Sequence, residues 1–125
     1  MRNLTLTACE AEVMNVVWSK AESVTVQDVV DAIPRELAYT TVMTTMKILE
    51  DKKFIVRGRK RGRAFTYVAL VSCQAASQTT ANEMANRFFD GSVKSMVLSL
   101  IKTRQIKSED LAELRDAIAL LEQAQ

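Results

Sequence analysis

Histidine is absent from the 125 residues, and only two cysteines, one proline and three glycines are present. With no histidine, and with Cys9 and Cys73 sixty-four positions apart, the usual zinc spacings and the Ser-His and Cys-His nucleophile pairs cannot be assembled. Gly58, Gly62 and Gly91 fit no phosphate-cradling loop. No catalytic residue, metal site or cofactor is therefore expected. Long apolar runs are also missing: the most apolar stretch, Ser95 to Ile101, is bounded by Lys94 and Lys102, far short of the ~18 residues that a membrane span needs. The opening MRNLTLTACEAEV has no apolar run after its arginine and turns acidic at once, which reads as a leaderless, cytoplasmic chain. Both cysteines are expected to be small buried hydrophobes. A redox-sensitive thiolate at Cys9, in a helix's first turn, is the alternative.

What is present is an ordinary globular composition, 48% hydrophobic and 26% charged, enough for one core and an appended element. The net charge of +2 hides an uneven distribution. Residues 52–63 hold seven of the seventeen basic residues and none of the fifteen acidic ones, leaving ten basic against fifteen acidic in the other 113 residues. A basic tip on a mildly acidic body attracts polyanions locally while the body stays soluble.

Thr7 and Glu10 have capping-box spacing, and Val13, Met14, Val17 and Trp18 follow on one side of a helix ending near Lys20. Thr25 and Asp28 repeat the signal ahead of Val26, Val29, Val30 and Ile33, and Pro34 stops that second helix. A third helix is expected to start near Thr40 or Thr41, with Val42, Met46 and Leu49 inward and Thr45 near the core. Its outer side presents Thr40, Thr41, Met43, Thr44 and Lys47. Threonine is a mediocre helix former, so this concentration points to contacts with base edges and phosphates.

Two β-prone runs, residues 54–57 and 64–70, flank Gly58-Arg59-Lys60-Arg61-Gly62-Arg63 and read as a β-hairpin with a flexible basic end. Three helices followed by such a hairpin have the order of a winged helix-turn-helix. The expected fold is thus mainly α with a small β-hairpin wing. In it the third helix reads the major groove, and Arg57, Arg59, Lys60, Arg61 and Arg63 grip the backbone. Residues 1–71 would form this domain and 72–125 a three-helix dimerisation domain. The latter begins with an alanine-rich connector carrying Ala76, Thr80, Met84 and Phe88, broken and recapped at Gly91 and Ser92. Then come the stripes Val93, Met96, Val97, Leu100, Ile101 and, on a helix capped by Ser108, Leu111, Leu114, Ile118, Leu121. A second copy is the simplest cover for them.

The blocks LTACEAEVMNVVWS (6–19), AYTTVMTTMKILEDKKFIVRGRKRGRAFTYVAL (38–70) and FDGSVKSMVLSL (89–100) resemble the penicillinase-repressor family of bacterial transcriptional repressors, with its BlaI, MecI and CopY types. The resemblance implies a homodimer that represses from palindromic operator DNA, in operons of antibiotic resistance or homeostasis. Met43 and Thr40 stand where the β-lactam-responsive members have basic residues, so a different operator is implied. In that branch repression is relieved when a membrane sensor protease, or a protease downstream of it, cuts the dimerisation domain. The matching bond here is Ser99-Leu100, with serine where the family pattern has asparagine. The cysteine-rich metal site of the copper-responsive branch has no counterpart after Cys73. A ligand- or metal-gated winged-helix sensor and a winged-helix protein- or RNA-interaction module are the alternatives.

Overall fold

A computed structural model describes residues 5–103 and 106–125 of the chain. The arginine of the amino-terminal reading lies outside them. The element order is α1 (Ala8–Ser19), α2 (Val26–Ala32), α3 (Tyr39–Asp51), β1 (Ile55–Arg61), β2 (Ala64–Ala69), α4 (Cys73–Phe88), α5 (Val93–Thr103) and α6 (Ser108–Gln123). Both expected capping boxes form. The Thr7 hydroxyl accepts from the Glu10 amide while the Glu10 carboxylate accepts from the Thr7 amide, and Thr25 with Asp28 does the same. Two otherwise orphaned amides are thereby satisfied at each helix start. Pro34 disfavours helical backbone at the residue before it, and Ile33 is accordingly extended and ends α2.

The third helix starts at Tyr39, slightly ahead of the expected threonines, and Ala38 occupies its cap without a side-chain hydrogen bond. Thr40 and Thr41 therefore lie inside the first turn and are not its N-cap. At the other end Lys53 takes a positive φ, and the Phe54 amide donates back to the Leu49 carbonyl at 2.9 Å. This reversal drops Phe54 into the core, where Val13, Met14, Val29, Val42, Met46, Leu49 and Ile55 join it fully buried. Each such side chain contributes about 1.5–3 kcal/mol on burial. Thr45 is buried as expected, its hydroxyl donating to the Thr41 carbonyl.

The hairpin differs in one respect from the sequence reading. Strand β1 runs through Arg61 and β2 begins at Ala64, so only Gly62 and Arg63 form the turn. The basic end stays in the strand as far as Arg61 because Gly58 and Arg59 fall in an irregularity between Arg57 and Lys60 that absorbs the offset, and pairing resumes at Lys60 opposite Phe65. A β-bulge of this kind bends and twists a strand without ending it. Gly62 takes the positive φ that the turn requires. Val24 exchanges two backbone hydrogen bonds with Tyr67, anchoring the hairpin to the segment before α2. The Trp18 indole donates to the Val71 carbonyl at 2.8 Å, fixing α1 to the chain beyond β2.

The chain divides into two compact units, Met1–Ala81 and Asn82–Gln125, with the division inside α4. Ala76, in the first part of α4, belongs to the core of the first unit. In the second unit, Gly91 adopts a positive φ, and the Ser92 hydroxyl accepts from the Ser95 amide to cap α5, as expected. The expected Ser108 cap does not form. Lys107 is the N-cap of α6 and its carbonyl takes the Leu111 amide at 3.0 Å, so the helix begins one residue early and Ser108 falls within it. Cys9 is half-buried and Cys73 exposed, which corrects the expectation of two buried thiols. Cys73 is the first residue of α4, at the helix end, and its exposure goes with that position. No helix among the described residues is long and apolar enough to cross a membrane.

Candidate nucleic-acid interface

Helix α3 and the hairpin form the walls of an open cleft of about 630 Å³. Tyr39, Met43, Thr44 and Lys47 line it from α3, and Arg57, Arg63, Ala64, Phe65 and Tyr67 from the hairpin, with Val26 beside them. The spacing explains the first wall: residues three and four apart share a helix face, so Tyr39, Met43 and Lys47 rise in successive turns. Thr40, Thr41, Met43, Thr44 and Lys47 are all exposed. Thr40 and Thr41 are not part of the cleft lining; Thr40 flanks it on the face shared with Thr44 and Lys47.

The five cationic wing residues fall into two groups. The Arg57 guanidinium lies 4.5 Å from the Phe65 ring centre and 6.0 Å from that of Tyr67, and it donates to the Glu50 carboxylate at 3.2 Å. Arg61 folds back on α2, donating to the Asp28 carboxylate and to the Ser23 carbonyl, both at 2.9 Å. These two are held by the protein. Lys60 has its ammonium 4.8 Å from the Phe65 ring centre. Neither it, Arg59, Arg63 nor Lys47 pairs with a carboxylate among the described residues. Four cations are thus left to meet an external anion, three on the hairpin and one on α3.

Around the cleft, Asp28 is held below the ordinary carboxylate range. The largest cause is the Thr25 amide donating to it, followed by the opposing cost of burial and then by Arg61. It is therefore ionised at neutral pH and available to Arg61. Glu10 is also lowered on balance. Burial alone would raise it, but the Lys52 ammonium at 2.8 Å and the Thr7 amide outweigh that cost. This pair ties the start of α1 to the end of α3. Glu12 and Arg35 add a two-pronged link at 2.7 and 2.8 Å from α1 to the segment between α2 and α3.

Tyr39 and Phe65 are cleft residues that the sequence reading did not single out. An aromatic beside a threonine run, and another opposite a cationic strand, are visible in the sequence as Tyr39-Thr40-Thr41 and Ala64-Phe65-Thr66. Nothing local separates them from core aromatics such as Phe54.

In the second unit Val93, Val97, Leu100, Leu111, Leu114, Ile118 and Leu121 are exposed. Ile101 is half-buried, and Met96, grouped with the same stripe in the sequence, is buried within the single chain. Ser99 and Leu100 lie in the body of α5, Ser99 half-buried and Leu100 exposed.

Three helices, a hairpin and a cationic cleft between the third helix and the hairpin define a winged-helix DNA-binding regulator. The fold is shared with MepR, described as a transcription regulator of a Staphylococcus aureus multidrug efflux pump, at a TM-score of 0.51 and 18% identity, over 96% of this chain and 81% of that one. The penicillinase repressor family model matches residues 6–120. The penicillinase repressor of S. aureus is 27% identical over 94% of this chain and 93% of its own length, and that of Bacillus licheniformis 28% over 84% and 82%. The methicillin resistance regulatory protein MecI of Mammaliicoccus sciuri is 26% identical over 90% and 92%. The chain belongs to the penicillinase repressor family, and it is a transcriptional repressor with no enzymatic role.

Proposed function

We propose that this repressor acts as a homodimer on two-fold symmetric duplex operator DNA. The winged domain of residues 1–71 would supply one half-site reader and the helices of residues 72–125 the pairing surface. The observation that carries the reading is the single cleft in which α3 and the wing meet, with Lys47, Arg63 and Thr44 on its walls. A recognition helix laid in the major groove presents Thr40, Thr44 and Lys47 to base edges or phosphates, while Arg59, Lys60 and Arg63 reach the adjoining backbone. The pairing surface is supported by exposed Val97 and Leu100 on α5 and Leu114, Ile118 and Leu121 on α6. Apolar stripes of this kind are ordinarily covered by a partner.

Relief of repression by proteolysis at Ser99-Leu100 is part of the same proposal. Because that bond is helical, a protease must first open the middle of α5, and a dimer that protects α5 would resist cutting. Recovery of genomic fragments on the purified protein tests the core of the reading. Enrichment of short inverted repeats in promoters supports it, and uniform recovery of all duplexes at moderate salt rejects it. Immunoblotting of cells during induction tests the rest. A fragment ending at Ser99 is expected, and full derepression with an uncut chain removes the proteolytic step.

A further inference from the structure

Resting on the duplex-DNA reading above, we propose that Met43 is the thymine-reading position of α3, seating its thioether on a thymine C5-methyl group, with Tyr39 closing the seat one turn earlier. Met43 is 45% exposed and Tyr39 46% exposed. Both line the cleft with Thr44 and Lys47 on their own wall and Phe65 across from them. Two large side chains with apolar surface thereby stand on the α3 wall beside the Thr44 hydroxyl and the Lys47 cation, opposite a hairpin wall that carries Phe65 and Tyr67 as well as Arg57 and Arg63.

The chemistry of the major groove restricts what such a seat can read. Base edges there present acceptors at guanine N7 and O6, a donor at cytosine N4, and a donor and acceptor at adenine. The thymine methyl is the one apolar group. A methionine thioether makes no directional hydrogen bond of consequence, but its three rotatable bonds let it fill an irregular apolar gap. Pressed against guanine or cytosine it would strip water from polar edge atoms and return no partner. Pressed against thymine it covers a methyl that would otherwise stay wet. Selection therefore comes from attraction to one base and a penalty against the others. The methyl of Thr44, next along the helix, extends the apolar ledge.

Deoxyuridine differs from thymidine only by that methyl, so the test is made on the operator itself. After selection of a duplex from a randomised pool with the full-length protein, each thymine is replaced singly by deoxyuridine. Kd is then measured at fixed salt for the wild type, Met43→Ala and Met43→Leu. One thymine per half-site should show about a fourfold loss when its methyl is removed, the worth of one buried methyl group. That sensitivity should vanish in Met43→Ala and persist in Met43→Leu. Because Met43 is exposed while Val42, Met46 and Leu49 hold the core, both variants should keep the wild-type circular dichroism and melting temperature, so the comparison between thymine and deoxyuridine within each variant reads the contact and not the fold. Tolerance of deoxyuridine at every position by a wild type that still prefers its operator overturns the inference alone, as does equal sensitivity in Met43→Ala. Failure to bind any duplex at low salt overturns the underlying DNA reading together with it.

Discussion

Arg61 and Arg63 stand two positions apart in the wing with the same charge, yet their surroundings assign them different roles. Arg63 lines the cleft and has no carboxylate partner among the described residues, so a phosphate would be its partner in a complex. Arg61 is already engaged with Asp28 and the Ser23 carbonyl and acts as a brace between wing and α2. Arg63→Ala should lower the slope of log affinity against log salt by about one, the loss of one counterion-releasing contact. Arg61→Ala should weaken all duplexes with the slope nearly unchanged; an equal drop in slope for both would mean that the Asp28 pair opens on DNA. Phe65 offers a parallel comparison, since its ring faces both Arg57 and Lys60. Exposed cation–π contacts are worth about 0.5–1 kcal/mol. Phe65→Leu should therefore weaken random-duplex binding roughly two- to fivefold, and Phe65→Trp should restore it.

Helices α1 and α2 were legible in the sequence because their determinants are local: two capping boxes, one proline, and apolar residues at regular spacing. The outward set on α3 was legible for the same reason, as a run of threonines that helicity alone does not favour. What the sequence did not disclose depends on partners distant along the chain. Arg61 meets Asp28 only after folding, Tyr39 and Phe65 become cleft walls only when α3 and the hairpin face each other, and Met96 leaves its stripe by being buried. The pair between Glu10 and Lys52 is of this distant kind, and its pH dependence follows from the sign of the shift. The folded Glu10 lies below its ordinary value of 4.5. Its contribution is thus present above that value and is lost as pH falls through the lower, folded one. Lys52→Met should cost about 1–3 kcal/mol at pH 7 by leaving a buried carboxylate without its main partner. Urea unfolding at pH 7 and pH 3 should show that difference shrinking in acid; a cost that is the same at both would mean that the lysine acts through its alkyl stem.

For the whole molecule, charge and the proposed pairing would act together on one encounter. The basic wing concentrates attraction in residues 52–63 of a chain whose other residues are net acidic, so approach to DNA is steered and salt-sensitive. Each winged unit alone offers few contacts. In the proposed dimer a second, joined reader would convert binding of the other half-site into an intramolecular event, an effect that raises affinity by about 10²–10⁴ without new chemistry. Ile118 on α6 and Leu100 on α5 are each 53% exposed in the single chain, and the proposed dimer must cover them. Ile118→Glu should leave circular dichroism unchanged, because α6 holds no buried residue and the core of the first unit lies elsewhere. It should nonetheless convert the protein to a monomer in sedimentation, since a carboxylate forced into an apolar interface costs far more than it returns. Operator affinity should then fall by two orders of magnitude or more, while a single half-site is bound as tightly by the variant as by the wild type. A variant that sediments as a dimer would remove α6 from the interface, and a monomer that keeps full operator affinity would show that pairing is not how this repressor holds DNA.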